Sequence, residues 1–319
     1  MRRLVILGAL VAAVLAALPA IAPAHAASSG SIAFVRGGDI WTIAPGGGSA
    51  KRLTGGGRDD GCPAWSPDHK TVAFVRMPKE WGDTPTICTV SAAGGASHAV
   101  KYSDDIGDTD FHFIPSVAYS PDGSKLAFSD MYQLSAGGDN KPEHNRLVVI
   151  DLKTGKTTVL IKRLGGFDGA IDAGWSLSWS PDGKSLLVAQ GAMDSEGGQT
   201  RVFTIATRHL RKLPIANASH ADWSPDGNAI VLSTATQMRT SILVARTSGA
   251  VIRTLLRGRG WQATPASPAY KDACYSTDGG RIAYTVDSWT GDTGRSVWIM
   301  NADGSGRRRL TSGEAPAWR

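Results

Sequence analysis

Carboxylates and histidines recur in the polar segments of this chain, and they are the side chains best suited to metal binding or acid–base chemistry. The candidates are Asp60, Asp110, His112, Asp172, His220, Asp222 and Asp272. Several such groups converging on one point would suit Ca²⁺ or another divalent cation. A ring of acids would also attract a basic segment of a protein partner. The structural alternative is that Asp caps loop turns and faces water.

Tryptophans are the second group that could form a binding site. Trp81, Trp175, Trp261 and Trp289 lie in long, irregular, polar segments. Several aromatic side chains on one surface would suit a peptide or a sugar, whereas a single one could simply cover the end of a sheet. The chain has no Gly-x-Ser-x-Gly elbow, no His-Glu-x-x-His and no phosphate-binding Gly loop. We therefore assign no catalytic residue.

Composition favours a folded all-β chain as the support for these groups. Hydrophobic residues make up 42% and charged residues 19% of the 319 residues, which excludes a disordered chain. The 38 glycines and ten tryptophans favour many short strands joined by tight turns.

The first residues have the pattern of a secretory signal peptide. Arg2 and Arg3 precede the apolar run from Leu4 to Leu18, and Ala24-His25-Ala26 matches a cleavage site. We expect residues 1–26 to be removed and the mature chain, which has no apolar run long enough to span a membrane, to be secreted or periplasmic. Loss of the two arginines lowers the formal charge from +6 to +4. That mild excess, together with export, argues against nucleic acid as a partner.

One phrase recurs through the chain at intervals typical of a repeat fold. Its copies are Trp65-Ser66-Pro67-Asp68, Tyr119-Ser120-Pro121-Asp122-Gly123, Trp179-Ser180-Pro181-Asp182-Gly183, Trp223-Ser224-Pro225-Asp226-Gly227 and Tyr275-Ser276-Thr277-Asp278-Gly279. Proline presets φ for a turn, Asp bonds back to the backbone, and Gly accepts positive φ, so the phrase predicts a tight hairpin. A strand-like run follows each copy. Each unit is therefore predicted to be a four-stranded antiparallel meander.

The two ends of the chain together complete a sixth unit. Residues 314–319 match the start of a unit, and residues 31–54 supply the three strands that should follow. Pairing of the C-terminal strand with the N-terminal segment would close a ring and remove exposed sheet edges. The sequence therefore predicts a six-bladed β-propeller over residues 27–319, with blade six split between residues 31–54 and 314–319.

The Trp-Ser-Pro-Asp-Gly phrase followed by Ile-Ala-Phe resembles the WD40-like (PD40) repeat of the TolB propeller family. The resemblance covers Ser31 to Arg319 and implies an envelope or translocation context. TolB carries an additional α/β domain before its propeller, whereas the propeller expected here begins a few residues after the cleavage site. Blade one has His69 where the phrase has Gly, and blade five has Thr277 for Pro; the turns should survive both changes.

The aligned repeats single out Asp222. The residue just before the aromatic is small in the other units, so an acid there is costly to bury without a partner. His220 lies two residues earlier and could pair with it, either structurally or as a working acid–base pair; the alternative is that water in the channel solvates the acid. Cys62 and Cys88 are expected not to form a disulfide, because the first and third strands of a blade are not neighbours.

The long connections between strands should gather at one end of the propeller, together with the candidate residues. Irregular loops on a rigid scaffold are where binding usually occurs. The sequence thus favours an exported, monomeric, non-enzymatic propeller that binds an envelope protein or peptide at the mouth of its channel. The alternatives are a hydrolase or lactonase-like enzyme dependent on a divalent cation, and a carbohydrate-binding module.

Overall fold

Short runs of β-branched and aromatic residues, separated by glycine-rich turns, form the 24 strands of the described chain. The structure is a computed structural model that describes residues 30–79, 84–103, 109–134, 144–162, 175–191, 198–260, 263–288 and 294–318. At Asp110 and Trp175 it describes the backbone only. The expected signal peptide, residues 1–26, lies outside the described residues.

The strands form six four-stranded antiparallel sheets, here called blades one to six. Blade one contains β4 (Asp60–Trp65), β5 (Thr71–Arg76), β6 (Thr86–Ser91) and β7 (His98–Ala99). Blade two contains β8 (Thr109–Tyr119), β9 (Lys125–Leu134), β10 (His144–Asp151) and β11 (Thr157–Ile161). Blade three contains β12 (Trp175–Trp179), β13 (Ser185–Gln190), β14 (Gln199–Thr204) and β15 (His209–Ala216).

The remaining blades continue this pattern. Blade four contains β16 (Ala218–Trp223), β17 (Ala229–Ala235), β18 (Arg239–Arg246) and β19 (Val251–Arg259). Blade five contains β20 (Ala269–Tyr275), β21 (Arg281–Asp287), β22 (Arg295–Asn301) and β23 (Arg308–Ser312). Blade six contains β24 (Glu314–Trp318), β1 (Ile32–Arg36), β2 (Asp39–Ile43) and β3 (Lys51–Arg52).

Blade six confirms the predicted closure of the ring. β24 pairs antiparallel with β1, with Trp318 opposite Ile32 and Ala317 opposite Ala33. Trp318 is 4% exposed and Ile32 is fully buried. The predicted six-bladed β-propeller, with blade six shared between the two ends of the chain, is therefore the observed fold.

The core consists of six apolar clusters, and each cluster joins two adjacent blades. The first strand of each blade contacts the first strands of the blades on either side, so these strands surround the axis. Neither face of a blade is buried by that blade alone, which is why the fold needs the whole ring.

The two ends of the ring differ. Five-residue Ser-Pro-Asp or Ser-Thr-Asp turns join the first and second strands of blades one to five, and we call their end the hairpin face. The opposite end, the loop face, carries the connections between blades and those between second and third strands. These connections differ in length, and the one between β11 and β12 has thirteen residues.

Candidate binding site at the loop face of the channel

Several candidates that the sequence analysis placed in loops lie within strands. Asp110 and His112 belong to β8, Trp175 begins β12, and Asp272 lies in the middle of β20. β8 continues past Pro115 because the strand bulges between Phe113 and Ser116, and the bulge accommodates a residue that cannot donate to the ladder. The loops are consequently shorter than the sequence suggests, and these residues lie on the rigid part of the scaffold.

Asp60 is held in a buried ion pair. Its side chain is 1% exposed, and both oxygens accept hydrogen bonds from Arg76, at 2.7 Å to Nε and 2.8 Å to Nη2. The Arg76 guanidinium also lies 5.2 Å from the centre of the Phe74 ring. The hydrogen bonds that Arg76 donates to Asp60 are the main reason that the pKa of Arg76 is raised above its ordinary value. Asp60 therefore fixes the start of β4 and is not open to the channel.

His112 belongs to a buried charged cluster in blade two. Its Nε2 lies 3.7 Å from Oδ2 of Asp130, a fully buried carboxylate that also accepts a hydrogen bond from Nε of Arg146 at 3.1 Å. The imidazole meets the Tyr132 ring edge to face, with the ring centres 6.1 Å apart. Sequence reasoning missed Asp130 and Arg146. The sequence feature that could have identified them is an acid in one strand and an arginine in the next, at positions that pair directly in the sheet.

Asp222 joins three blades. Its Oδ1 accepts the hydroxyl of Ser178 in blade three at 2.7 Å, and its Oδ2 accepts the backbone N–H of Tyr275 in blade five at 3.0 Å. The carboxylate thus has partners in both neighbouring blades, and among the described residues none of its hydrogen bonds goes to His220. The pairing with His220 that the sequence allowed does not form. Asp222 is the last but one residue of β16, so it lies at the hairpin-face end of the channel and not at the loop-face mouth where the sequence analysis placed it.

The contacts of Asp222 are part of a recurring arrangement around the axis. The inner edge of each first strand has no strand beside it, and its N–H groups need acceptors. Side chains of the preceding blade supply several of them. Examples of these donor–acceptor pairs are Leu177 N to Ser116 Oγ (3.1 Å), Ala221 N to Ser176 Oγ (3.2 Å), Ala273 N to Ser233 Oγ (2.9 Å) and Ala315 N to Thr285 Oγ1 (3.0 Å). These small polar residues accept hydrogen bonds from N–H groups on the inner edges of the first strands, which would otherwise be unpaired.

A second charged network lies where blades five and six meet. Asp287 contacts Nζ of Lys271 at 2.8 Å and Nε of Arg295 at 3.5 Å, and Nη1 of Arg295 donates to both oxygens of Glu314 at 2.8 Å. Burial raises the pKa of Glu314 above its ordinary value, and the charge of Arg295 opposes that rise. Glu314 is therefore a partly buried acid with a fixed cationic partner.

Asp272 lies in a β-bulge of a kind that recurs in the first strands of three consecutive blades, five, six and one. Its φ is 54°, and Cys62 (52°) and Ala315 (49°) have the same left-handed backbone in the first strands of blades one and six. In each case the ladder shifts register at this point. Bulges re-aim side chains, so Asp272 does not follow the alternation of its strand.

All three cysteines are free. The thiol of Cys62 donates to the carbonyl of Pro115 at 2.9 Å, and that of Cys274 donates to the carbonyl of Pro316 at 3.2 Å. Burial raises the pKa of Cys62 to about 12. A thiol that stays protonated is a poor nucleophile, so Cys62 acts as a hydrogen-bond donor between blades one and two.

Other candidates lie outside the described part of the chain: Asp172, Trp81, Trp261 and Trp289. His220 is half-buried on β16. Within the described residues, no group of three or more His, Cys, Asp or Glu side chains is arranged to hold a metal ion. In the same residues no helix is long and apolar enough to cross a membrane.

The chain is similar to TolB proteins in both sequence and fold. A stretch of 129 residues, 39% of this chain, is 33% identical to the Tol-Pal system protein TolB of Anaeromyxobacter dehalogenans strain 2CP-C. The match spans 25% of that protein's length. No known family model matches the chain.

Two solved TolB structures superpose on most of the chain. TolB from Acinetobacter baumannii gives a TM-score of 0.64 at 20% identity, covering 92% of this chain and 67% of that one. A putative TolB from Agrobacterium tumefaciens gives 0.59 at 19% identity, covering 90% and 91% respectively. Together with the six blades in the structure, these similarities identify the chain as a six-bladed β-propeller that resembles the propeller of TolB.

Proposed function

We propose that this chain is an exported, TolB-like propeller that binds an envelope protein or peptide across its loop face. The observation that carries the proposal is the difference between the two ends of the ring. All connections within blades on the hairpin face are short, from four to seven residues, whereas the connections on the loop face differ from blade to blade, from one residue to thirteen. A rigid ring that presents irregular connections at one end is a typical scaffold for binding.

The chemistry of the described candidates supports binding rather than catalysis. Asp60 is paired with Arg76, Asp222 with Ser178 and Tyr275, and Glu314 with Arg295. Each of these three carboxylates has a fixed structural partner, whereas a general acid or base needs a group free to exchange a proton with a substrate. These acids therefore stabilise the channel wall, and the partner would meet the loops around it.

Similarity to TolB and the leader-like residues 1–26 support an envelope location. Signal-peptide patterning predicts export, and the similar proteins include a Tol-Pal system protein. Because the chain spans a quarter of that relative's length, the partner is proposed here only by class, as an envelope protein or peptide.

Site-specific photo-crosslinking in the source organism tests the proposal. A photoreactive amino acid is placed at Arg58 or Met238, which are exposed on the loop face, and at Lys70 or Lys184, which are exposed on the hairpin face. We expect one discrete crosslinked protein or peptide from the loop-face positions and none from the hairpin-face controls. Crosslinking from the hairpin face alone would contradict the proposal. Fractionation of the same cells should place the chain in the envelope, and a cytoplasmic chain would contradict export.

A further inference from the structure

The positive charge of the molecule is concentrated in blades three and four. Residues 198–260 contain nine Lys and Arg and two Asp, a formal charge of +7, whereas the whole chain carries +6. The rest of the chain therefore carries a net charge of −1. One of the two acids, Asp222, is engaged between blades, and the other, Asp226, accepts hydrogen bonds in its own hairpin turn.

The basic side chains of this region lie mainly on the outer strands. On β19, Arg253, Arg257 and Arg259 are exposed, and on the neighbouring outer strand β15, Arg211 and Lys212 are exposed. The two blades are in contact there, since Nη2 of Arg211 donates to the carbonyl of Thr247 at 3.0 Å. Among the described residues none of these five side chains lies within ion-pair distance of an acid, although Nη1 of Arg253 donates to the backbone carbonyl of Asp303 in blade five at 3.2 Å. We call this surface, formed by β15, β18 and β19, the basic rim.

Edge protection alone does not account for the arrangement of these charges. Lys and Arg on outer strands do prevent sheets from pairing edge to edge. However, Arg239 on β18 lies directly opposite Arg259 on β19, and both are exposed. Like charges at directly opposed positions of a sheet destabilise it. A binding role for the charge would explain why the repulsion is tolerated.

Two apolar side chains are exposed within the basic rim. Val251 is 53% and Ile252 is 55% exposed, and both stand at the start of β19 beside Arg253. The register of β18 and β19 shifts here, so these adjacent residues are both presented outward instead of alternating. Exposed apolar residues flanked by arginines are the combination with which proteins dock on anionic membranes, because the apolar groups enter the interface and the arginines contact the phosphates.

The backbone of β19 is poorly suited to the addition of another strand. Its register shifts twice along β18, and the carbonyl of Leu255 accepts a hydrogen bond from Nη2 of Arg307 in blade five at 3.1 Å. Bulges twist an edge away from pairing, and a side chain bound at an edge carbonyl obstructs the approach of a new strand. An extended acidic peptide added along β19 is therefore disfavoured. Contact through side chains with a broad anionic surface fits better, because β19 alone spans about 30 Å.

We infer that the basic rim of blades three and four docks on the surface of an anionic lipid membrane. The arginines of β19 contact the lipid phosphates, and Val251 and Ile252 insert between the headgroups. Apart from Arg239, which follows Met238 of the loop face, this surface lies on outer strands away from the channel, so the inference does not depend on the proposed function. A chain docked in this way lies edge-on to the membrane and leaves its channel open to a partner.

Vesicle flotation of the full chain without residues 1–26 tests the inference. The probes are vesicles of phosphatidylcholine with about 30% phosphatidylglycerol, and vesicles of phosphatidylcholine alone. We expect at least tenfold tighter binding to the anionic vesicles at about 0.1 M salt, and weaker binding as salt is raised because the charges are screened. Equal binding to both vesicles, or binding to neither, would overturn the inference.

Two triple variants distinguish binding through the basic rim from binding that depends only on the net charge of the protein. Arg253→Glu/Arg257→Glu/Arg259→Glu should reduce binding to anionic vesicles at least tenfold. Lys70→Glu/Lys153→Glu/Lys156→Glu makes the same change in charge at exposed positions of blades one and two, and should bind nearly as the parent does. Equal losses in the two triple variants would show that only net charge matters and would overturn the inference. Thermal melting of both establishes that each is folded.

A third variant distinguishes docking on a membrane from binding to a soluble polyanion. Val251→Ser/Ile252→Ser leaves every charge in place and should reduce vesicle binding several-fold. If this variant binds vesicles as the parent does, and the parent binds free polyglutamate as tightly as it binds vesicles, the partner is an acidic polymer and the membrane inference is wrong.

Discussion

Asp222 shows how a residue that looks catalytic in the sequence can be structural. An acid in a column of small residues suggests a working group, yet its two oxygens accept hydrogen bonds from Ser178 and from the amide of Tyr275. At this position one side chain reaches both neighbouring blades, through the hydroxyl of Ser178 and the backbone N–H of Tyr275. Its role follows from the geometry of the ring and does not require a ligand.

We predict that Asp222→Ala destabilises the fold by about 2 kcal/mol, because the Tyr275 N–H and the Ser178 hydroxyl lose their acceptor. Asp59→Ala, which removes an exposed acid of the loop face, should change stability by less than about 0.5 kcal/mol. Urea unfolding of the three proteins measures both values. If Asp222→Ala kept full stability but lost the loop-face crosslink, Asp222 would be a binding residue instead.

The hairpin aspartates give the fold a specific dependence on pH. The pKa of Asp122 is lowered to about 2, chiefly by the hydroxyl of Ser120 and then by the amide of Ser124. A group whose pKa is lowered by folding contributes stability above its ordinary pKa, and that contribution is lost as pH falls through the folded value.

We therefore predict that Asp122→Asn is less stable than the parent at pH 7. The difference should shrink as the pH falls below about 4, and most of it should be lost by about pH 2, where the parent aspartate is half protonated. Urea midpoints measured from pH 7 to pH 2 follow this change. A difference that stays constant over that range would mean that the charge of Asp122 contributes nothing to the turn.

At the scale of elements, neighbouring hairpins pack on one another, and both departures from the repeated phrase lie where this packing is interrupted. A Cβ at Gly123, Gly183 or Gly227 would lie 3.6–3.8 Å from Cδ of the proline in the preceding hairpin. β24 and β1 are far apart in the chain, so blade six has no such hairpin. His69 of blade one therefore has no proline of a preceding hairpin packed against it. In the same way, Thr277 of blade five has no glycine of a following hairpin packed against it. The two departures stand on either side of blade six.

Exchanges at the turn glycine position test this explanation. His69 and Gly123 have φ of 60° and 71°, values that non-glycine residues adopt at a cost. Gly123→Ala should destabilise by about 1 kcal/mol, since only its backbone is strained, whereas His69→Gly should be neutral or stabilise by up to about 1 kcal/mol. Melting temperatures report both. A destabilised His69→Gly would show that the imidazole makes a contact that the packing argument leaves out.

The repeated turns and the strand order could be predicted from sequence because they depend on local signals. Ser120, Asp122 and Gly123 form their turn within five residues, and the alternation of the next strand follows directly. The partners of Asp222 could not be predicted in this way, because Ser178 is 44 residues away and Tyr275 is 53. Strand ends were also missed where a bulge carries a strand past a proline, as in β8.

At the scale of the whole molecule, stability depends on the junction of β24 with β1. Arg36 strengthens it, since its guanidinium stacks on Phe34 and Trp41 and its Nε donates to the carbonyl of Ser312 at 3.0 Å. Gly313 allows the close approach, because a Cβ there would lie 2.6 Å from the Phe34 ring. The junction links blades five, six and one into a continuous ring.

Trp318→Ala should cost about 3–5 kcal/mol, because it removes a large side chain buried at this junction. That is a large part of a typical total stability of about 5–15 kcal/mol. Trp318→Phe keeps most of the packing and should cost much less. A Trp318→Ala variant, or a chain lacking residues 314–319, that melted like the parent would show that the final strand does not close the ring.

The most direct test of the closed ring is a disulfide between Ala33→Cys and Ala317→Cys. These residues are directly opposed on β1 and β24, and opposed residues of antiparallel strands are about 4.5–5.5 Å apart at Cα, within the range of a disulfide. We predict rapid intramolecular crosslinking under mild oxidation, identified by peptide mapping, and a gain in stability of up to about 5 kcal/mol from closing so long a loop. Failure to crosslink in the folded protein, or crosslinking only between two molecules, would contradict the closed six-bladed ring.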